Sequence, residues 1–366
     1  MEHNMLSLDF WQDTVTYEGN TLPTGTLACD ALNIPDDMIA QLHPLCDTIN
    51  SFLKSMNAGA QDSALLPATR EAAMETFKLL HSVPPFSCLD LNYYLTNTEK
   101  VYSEAGIENW KAFMMSVLTG TFDPNNAEEY TLGASLDRIT KILGHLAYSL
   151  TDYKEAMTEF ALKLDAVTTN RRPEGLAELF GQYFSLEEPV QESNNWMAFS
   201  NNTFQYVSAM HPDKEIPMLT RRMHYVSFVG MFRSDFFEGL CVGHAPKKCQ
   251  VCGRWFLTTN ARHTKYCNGF APGNDHGLTC RQVANWLGRK ERELAANHPI
   301  KQIYTSRMNT ITQYLHRGTI DPVTAERMKF LGKRKMEKAL RDPIYAETKY
   351  KQEMTQKALF EEAKKQ

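Results

Sequence analysis

The sequence predicts a mainly α protein: a large helical domain with a few short strands, then a compact cysteine-rich module, then a helical tail. Three observations predict this order. Apolar residues recur at three- and four-residue spacing through most of the chain, the signature of helices with one buried face. Asp-Pro and Pro-Asp pairs and single glycines punctuate those stretches where helices begin and end. Four of the eight cysteines fall within the short stretch from Cys249 to Cys280.

The first residues alternate apolar and polar at Leu6, Leu8, Phe10 and then Val15 and Tyr17, which reads as one or two strands before a turn at Pro23 to Gly25. Pro35-Asp36-Asp37 opens a helix reaching about Met56, a second runs near Ala68 to Ser82, and Pro84-Pro85 stops it. A third is predicted from about Thr98 to Leu118, with Gly106 as a weak point inside it. The clearest periodicity follows: Leu136, Ile139, Leu143, Leu146, Leu150, Tyr153, Met157, Phe160 and Leu164. It reads as one long amphipathic helix whose stripe faces a core. Pro173 starts another helix through Phe184, and the polar run from Glu187 to Asn195 reads as a loop. Strand-like pieces flank the turn His211-Pro212-Asp213, and the apolar, aromatic run Tyr225 to Leu240 reads as a buried helix.

Pro246 is the predicted boundary, giving domains over 1–246, 247–298 and 299–366. Arg281 to Asn297 reads as a helix behind the cysteines. Pro299 at a first helical position starts another, ended by Gly318, and Asp321-Pro322 and Asp342-Pro343 repeat the signature. The last helix shows little apolar face, so the chain is expected to fray after about Thr355.

The chain has 366 residues and a net charge of -4, enough for two or three domains. With 43% hydrophobic and 22% charged residues it has the composition of a chain that buries a core. The near-neutral total hides a polarity: residues 247–366 carry 24 Lys and Arg against 11 Asp and Glu, a net of +13, which leaves -17 for residues 1–246. Such asymmetry fits a basic module for a polyanion joined to an acidic one, or two halves that attract each other. The N-terminal residues show no basic stretch followed by an apolar run, and no window approaches the roughly 18 apolar residues of a membrane helix. The expectation is a soluble, cytoplasmic protein with no membrane partner.

From Cys249 the spacing is C-x2-C-x14-C-x12-C, ending at Cys280. In a long chain expected in a reducing compartment, clustered thiols point to a metal rather than to disulfides. Zinc takes four such ligands tetrahedrally, and a C-x2-C pair supplies two from one tight turn that Gly253 permits. The predicted ligands are Cys249, Cys252, Cys267 and Cys280, with His244, His263 and His276 as substitutes. Trp255 to Leu257 reads as a strand beside the metal, His263 to Tyr266 as the strand returning to Cys267, and Cys280 as the start of the next helix. Four cysteines close the shell, leaving no position for water or substrate, so the zinc is predicted to be structural.

The layout of knuckle, hairpin and helix resembles a treble-clef zinc finger. The residues C-x2-C-G-R-x-F, K-Y-C, A-P-G and T-C-R, with Gly318-Thr319-Ile320 in the tail, resemble an uncharacterised bacterial family over roughly Leu219 to Met354. More distantly, Phe256 and Lys265-Tyr266-Cys267 are similar to the CGNR-type zinc fingers of bacterial transcriptional regulators, in which a helical sensory domain precedes the finger. The chain departs from that pattern in its tighter first pair and in Arg281-Gln282-Val283 after Cys280.

No catalytic residue is predicted, because the chain lacks Walker A, H-E-x-x-H, Gly-x-Ser-x-Gly and Gly-x-Gly-x-x-Gly motifs in their required settings. The leading expectation is a nucleic-acid-binding regulator with phosphate contacts from Arg254, Arg262, Lys265, Arg281, Arg289, Lys290, Lys333, Arg334 and Lys335, and with Arg292 nearby. The alternatives are an adaptor for a protein partner, stapled by a purely structural zinc, and an enzyme with its site in the helical domain.

Overall fold

The computed structural model describes residues 5–58, 65–123, 128–166, 172–183, 202–211, 214, 216–260, 264–273, 277–293 and 298–365. It divides into two compact units, one of residues 1–164, 169–246 and 255–262, the other of residues 165–168, 247–254 and 263–366.

The first unit is built on a five-stranded antiparallel sheet. The alternation at the N-terminus yields three strands, β1 (Ser7–Trp11), β2 (Thr14–Tyr17) and β3 (Asn20–Pro23), one more than the sequence suggests. Two further strands come from the region around His211: β4 (Asn202–Met210) and β5 (Pro217–Tyr225). The order is β3-β2-β1-β5-β4, so the N-terminal strand lies at the centre. Leu8, Phe10, Val15 and Tyr17 are buried on one face. On β1 and β5, Asp9 stands directly opposite Arg222 and accepts from its Nε and Nη2 at 2.7 and 2.9 Å.

Helices α1 (Thr26–Ala31), α2 (Asp36–Asn57), α3 (Leu65–His81), α4 (Leu91–Val101), α5 (Glu104–Leu118), α6 (Thr131–Gly144), α7 (Leu146–Ala166) and α8 (Pro173–Tyr183) follow. The helix predicted over Thr98 to Leu118 is two helices. Ser103 interrupts it as an N-cap, its hydroxyl accepting from Gly106 N at 3.1 Å. Gly106 is therefore a requirement of this corner and not a weak point, since a Cβ there would lie 2.0 Å from the Val101 carbonyl oxygen. The stripe from Leu136 to Leu164 is buried at all nine positions, but it too is carried on two helices, broken at His145. Asn50 of α2 donates through Nδ2 to the Gly144 carbonyl at 2.7 Å, taking an acceptor at the end of α6. Periodicity survives such a break because both helices face the same core. The loop predicted over Glu187 to Asn195 lies outside the described residues.

The aromatic run gives α9 (Phe228–Cys241), capped by Ser227. It begins later than Tyr225, which belongs to β5. Its buried Asp235 accepts from Gly25 N at 2.8 Å and from Ala28 N at 2.9 Å, tying α9 to the first turn of α1.

In the second unit, α10 (Cys280–Glu293), α11 (Pro299–His316) and α12 (Pro322–Arg341) lead into three short helices, α13 (Pro343–Thr348), α14 (Tyr350–Glu353) and α15 (Gln356–Lys364). Their core includes Ile311, Met328, Leu331, Met336, Tyr345, Tyr350 and Met354. The expected fraying after Thr355 is not found. Leu359 and Ala363 of α15 are buried in the same core, because two apolar residues four apart suffice to dock a helix this short. Among the described residues no helix is long and apolar enough to cross a membrane.

Candidate metal centre

Strand β6 (Ala245–Lys248) leads into the first cysteine pair and β7 (Trp255–Thr258) leaves it, the two pairing as a separate two-stranded sheet. The C-x2-C knuckle is thus the tip of a hairpin. Cys249 N donates to Arg254 O at 2.9 Å and Gly253 N to Cys249 O at 2.9 Å, closing a turn that requires φ of +75° at Gly253. Here the sequence reading needs correction. The partner of β7 precedes the knuckle, whereas in the predicted returning strand, His263 to Tyr266, the described residues 264–266 are not in a strand. Gln250 N donates instead to Lys265 O at 3.1 Å, two residues before Cys267. Cys280 N donates to Gly269 O at 2.8 Å and opens α10.

The four sulfurs of Cys249, Cys252, Cys267 and Cys280 lie within 4.8 Å of one another. No pair is joined as a disulfide. Cys252 Sγ and Cys267 Sγ are 3.7 Å apart, against about 3.8 Å for the edge of a tetrahedron with 2.3 Å metal–sulfur bonds. Separation and donor set both fit a tetrahedral ion, and the four cysteines can hold a metal.

The backbone prepares the cluster for charge. Burial opposes ionisation of Cys249, but N–H groups of Cys252, Cys267 and Val251 outweigh it and hold this thiol below its ordinary value. The bond from Cys267 N to Cys249 Sγ is 3.4 Å. Burial pushes the Cys267 thiol up to about 11 and raises Cys280 as well. Without an ion, burial disfavours ionisation of Cys267 and Cys280; a bound ion would give their thiolates the partner that burial demands.

His244 is not part of the cluster: it is buried, and its Nδ1 donates to Thr24 O at 2.8 Å within the first unit. His263 and His276 lie outside the described residues, as does Arg262. Of the predicted phosphate contacts, Arg254, Lys265, Arg281 and Arg289 are exposed. The side chains of Lys290 and Arg292 are not among those described. Lys333 donates to Tyr266 Oη at 2.9 Å. Lys335 is drawn inward, 2.8 Å from Glu353 and 2.9 Å from Glu362, with its side chain 12% exposed. Arg334 lies exposed along a cavity of about 340 Å³ that also takes in Gln250, Lys338, Arg341 and Tyr345. Sequence reasoning missed this cavity. The only signal for it was the spacing of Arg334, Lys338 and Arg341 along one helix face, which a solvated helix shares.

Residues 197–366 match the model of a family of unknown function (DUF6076). The matched segment contains all four cysteines and the tail, and extends beyond the stretch from Leu219 to Met354. Comparison with curated proteins and with solved structures finds no match. No zinc-finger family and no CGNR-type regulator is among the findings.

Proposed function

We propose that the four cysteines hold one structural zinc ion in a treble-clef-like finger, and that this finger presents a nucleic-acid-binding surface as part of a regulator. One observation carries the reading. Three exposed cations flank the ligands at one or two positions: Arg254 after Cys252, Lys265 before Cys267 and Arg281 after Cys280. Arg289 follows on α10. Zinc with four thiolates supplies fold and charge and no open coordination position, so these residues, and not the metal, would meet phosphate. The +13 balance of residues 247–366 supports the same partner.

A second reading rests on the same cations: they offset the negative charge of the thiolate centre and bind nothing else. One experiment separates the two. The full chain is purified, its metal measured, and its binding to duplex DNA, single-stranded DNA and RNA followed against salt. The expected result is close to one zinc per chain, lost in Cys267→Ser, with affinity falling by about 0.9 log units per log of salt for each duplex phosphate contact. Replacing Arg254, Lys265 and Arg281 with Gln flattens that slope by about three units if all three touch phosphate, at unchanged zinc content. Weaker zinc retention in that variant, without nucleic-acid binding by the parent, supports the second reading instead. Iron in place of zinc would keep the geometry and change the colour of the protein.

A further inference from the structure

Phe270 lies between Cys267 and Cys280 in sequence, is 77% exposed, and belongs to neither hydrophobic core. Its backbone is nevertheless held on both sides. Phe270 pairs with Thr279 in an antiparallel bridge, Ala271 N donates to Leu278 O at 3.0 Å, and Cys280 N donates to Gly269 O at 2.8 Å. The chain thus fixes where the ring is and leaves it to solvent. Two residues beyond Thr279, Arg281 begins the outward face of α10. Residues 281, 282, 285, 286 and 289 are exposed and fall on one side of a helix, opposite the buried Val283, Ala284 and Leu287. That stripe reads Arg281, Gln282, Asn285, Trp286, Arg289: two guanidinium groups, two amides and an indole that is 39% exposed. Residues 281–289 include no carboxylate. From Cys249 to Lys290 the chain has six Lys and Arg and one acidic residue, Asp275.

Exposed aromatic rings among cations suit one form of nucleic acid. A phenyl ring has no polar atom with which to read a base edge, so its attraction for a base is through its face. In a duplex the base faces are covered by neighbouring pairs; in a single strand they are open. Arg281 and Arg289 are eight residues apart on α10, about 12 Å along the axis. That is the length of about two to four nucleotides of one strand at 3.4 Å or more each. Between them the amides of Gln282 and Asn285 have donors and acceptors for the edges of unpaired bases. Building on the nucleic-acid reading of this module, we infer that its partner is a single strand. One base stacks on Phe270, another lies against Trp286, and phosphates meet Arg281 and Arg289. Burial of Phe270 by a protein would use its bulk and not its π face, and the test separates the two.

Fluorescence anisotropy of the full, metal-loaded chain tests it with labelled strands of about 12 nucleotides. The probes are single-stranded DNA, single-stranded RNA, the matching blunt DNA duplex and a DNA strand of the same length without bases. At equal salt, a single strand should bind about fivefold or more tightly than the duplex or the abasic strand, the worth of stacking one base. Phe270→Ala should weaken single strands by about fivefold to a hundredfold, while duplex affinity, zinc content and melting temperature stay unchanged. Phe270→Leu, which keeps apolar bulk and loses the ring, should match Phe270→Ala, and Phe270→Tyr should match the parent. Arg281→Gln should instead flatten the single-strand salt slope by about 0.7, which Phe270→Ala leaves alone. The tighter of the DNA and RNA strands identifies the sugar that the site takes. Single-strand binding that survives Phe270→Ala, or that Phe270→Leu restores, overturns the stacking assignment. So does a duplex or abasic strand bound as tightly as the single strands, and duplex binding would leave the broader nucleic-acid reading standing. No binding of any strand at about 50 mM salt, with protein up to about 100 μM, where even non-specific binders register, removes both.

Discussion

Asn33 and Trp255, 222 positions apart, are joined as two strands would be: Asn33 Nδ2 donates to Trp255 O at 2.8 Å, and Trp255 N donates to Asn33 Oδ1 at 2.7 Å. A side-chain amide here replaces a neighbouring peptide group. It satisfies both polar atoms of the first residue of β7 and sets where that strand lies against the end of α1.

Asn33→Ala should therefore cost about 2 to 4 kcal/mol, because it removes two hydrogen bonds and strands a buried donor and acceptor. Denaturant unfolding followed by tryptophan fluorescence measures it. Asn33→Asp should be no milder, since a carboxylate would face the Trp255 carbonyl. A change below half a kcal/mol in both variants would show that water substitutes for the amide.

Gly133 brings α6 against α5. A Cβ at this position would lie 2.5 Å from both the Cα and the N of Trp110, which are backbone atoms and cannot swing aside. Gly133→Ala should destabilise by about 1 to 3 kcal/mol or more. Gly181→Ala on α8, with nothing within 4 Å of its added carbon, should instead be neutral or stabilising by up to about 1 kcal/mol. Thermal melting of the two variants side by side reads the contrast.

Burial pushes the Asp235 carboxyl up to about 7, against the pull of the Gly25 and Ala28 N–H groups. Its pKa in the folded chain thus exceeds the roughly 3.9 of an unfolded aspartate, so the folded state holds the proton more tightly. The stability this group contributes is complete below about pH 4 and is lost as pH rises through about 7. Comparing unfolding free energies of the parent and Asp235→Asn between about pH 5 and 8, the parent's relative stability should fall as pH rises. A difference that grows with pH would mean the two N–H groups outweigh burial.

Leu359 has no exposed surface, and Leu359→Ala should cost about 2 to 5 kcal/mol in the second unit. Deleting the chain from Thr355 onward removes this contact and also Glu362, one of the two carboxylates on Lys335. Limited proteolysis should then cut the second unit faster. Unchanged resistance would restore the sequence-based expectation of a frayed tail.

The helices were legible where a local signal sufficed. Asp321 accepts from Thr324 N at 2.9 Å and Asp342 from Tyr345 N at 3.0 Å, the caps that the Asp-Pro pairs announce. The four cysteines were legible for the same reason, since ligand chemistry fixes their spacing. What the sequence concealed depends on partners far along the chain. Gly144 is a faint local mark of the break before His145, overridden because the apolar stripe runs through it without interruption, and nothing near β7 says that its strand partner lies before the knuckle. Lys333 and Lys335 read as phosphate contacts because the tyrosine and glutamates that engage them come from other elements.

In β1, Phe10 stands opposite Val15 of β2 on one side and opposite Arg221 of β5 on the other. The first neighbour leaves the ribosome at once, and the second only after more than two hundred further residues. At about 5 to 20 residues per second, the nascent chain spends on the order of 10 to 40 s with one edge of its earliest sheet unclaimed. Throughout that interval the backbone of Ser7 to Phe10 offers unpaired N–H and C=O groups to any passing strand. That edge closes only once β5, ending at Tyr225, is available to pair with β1.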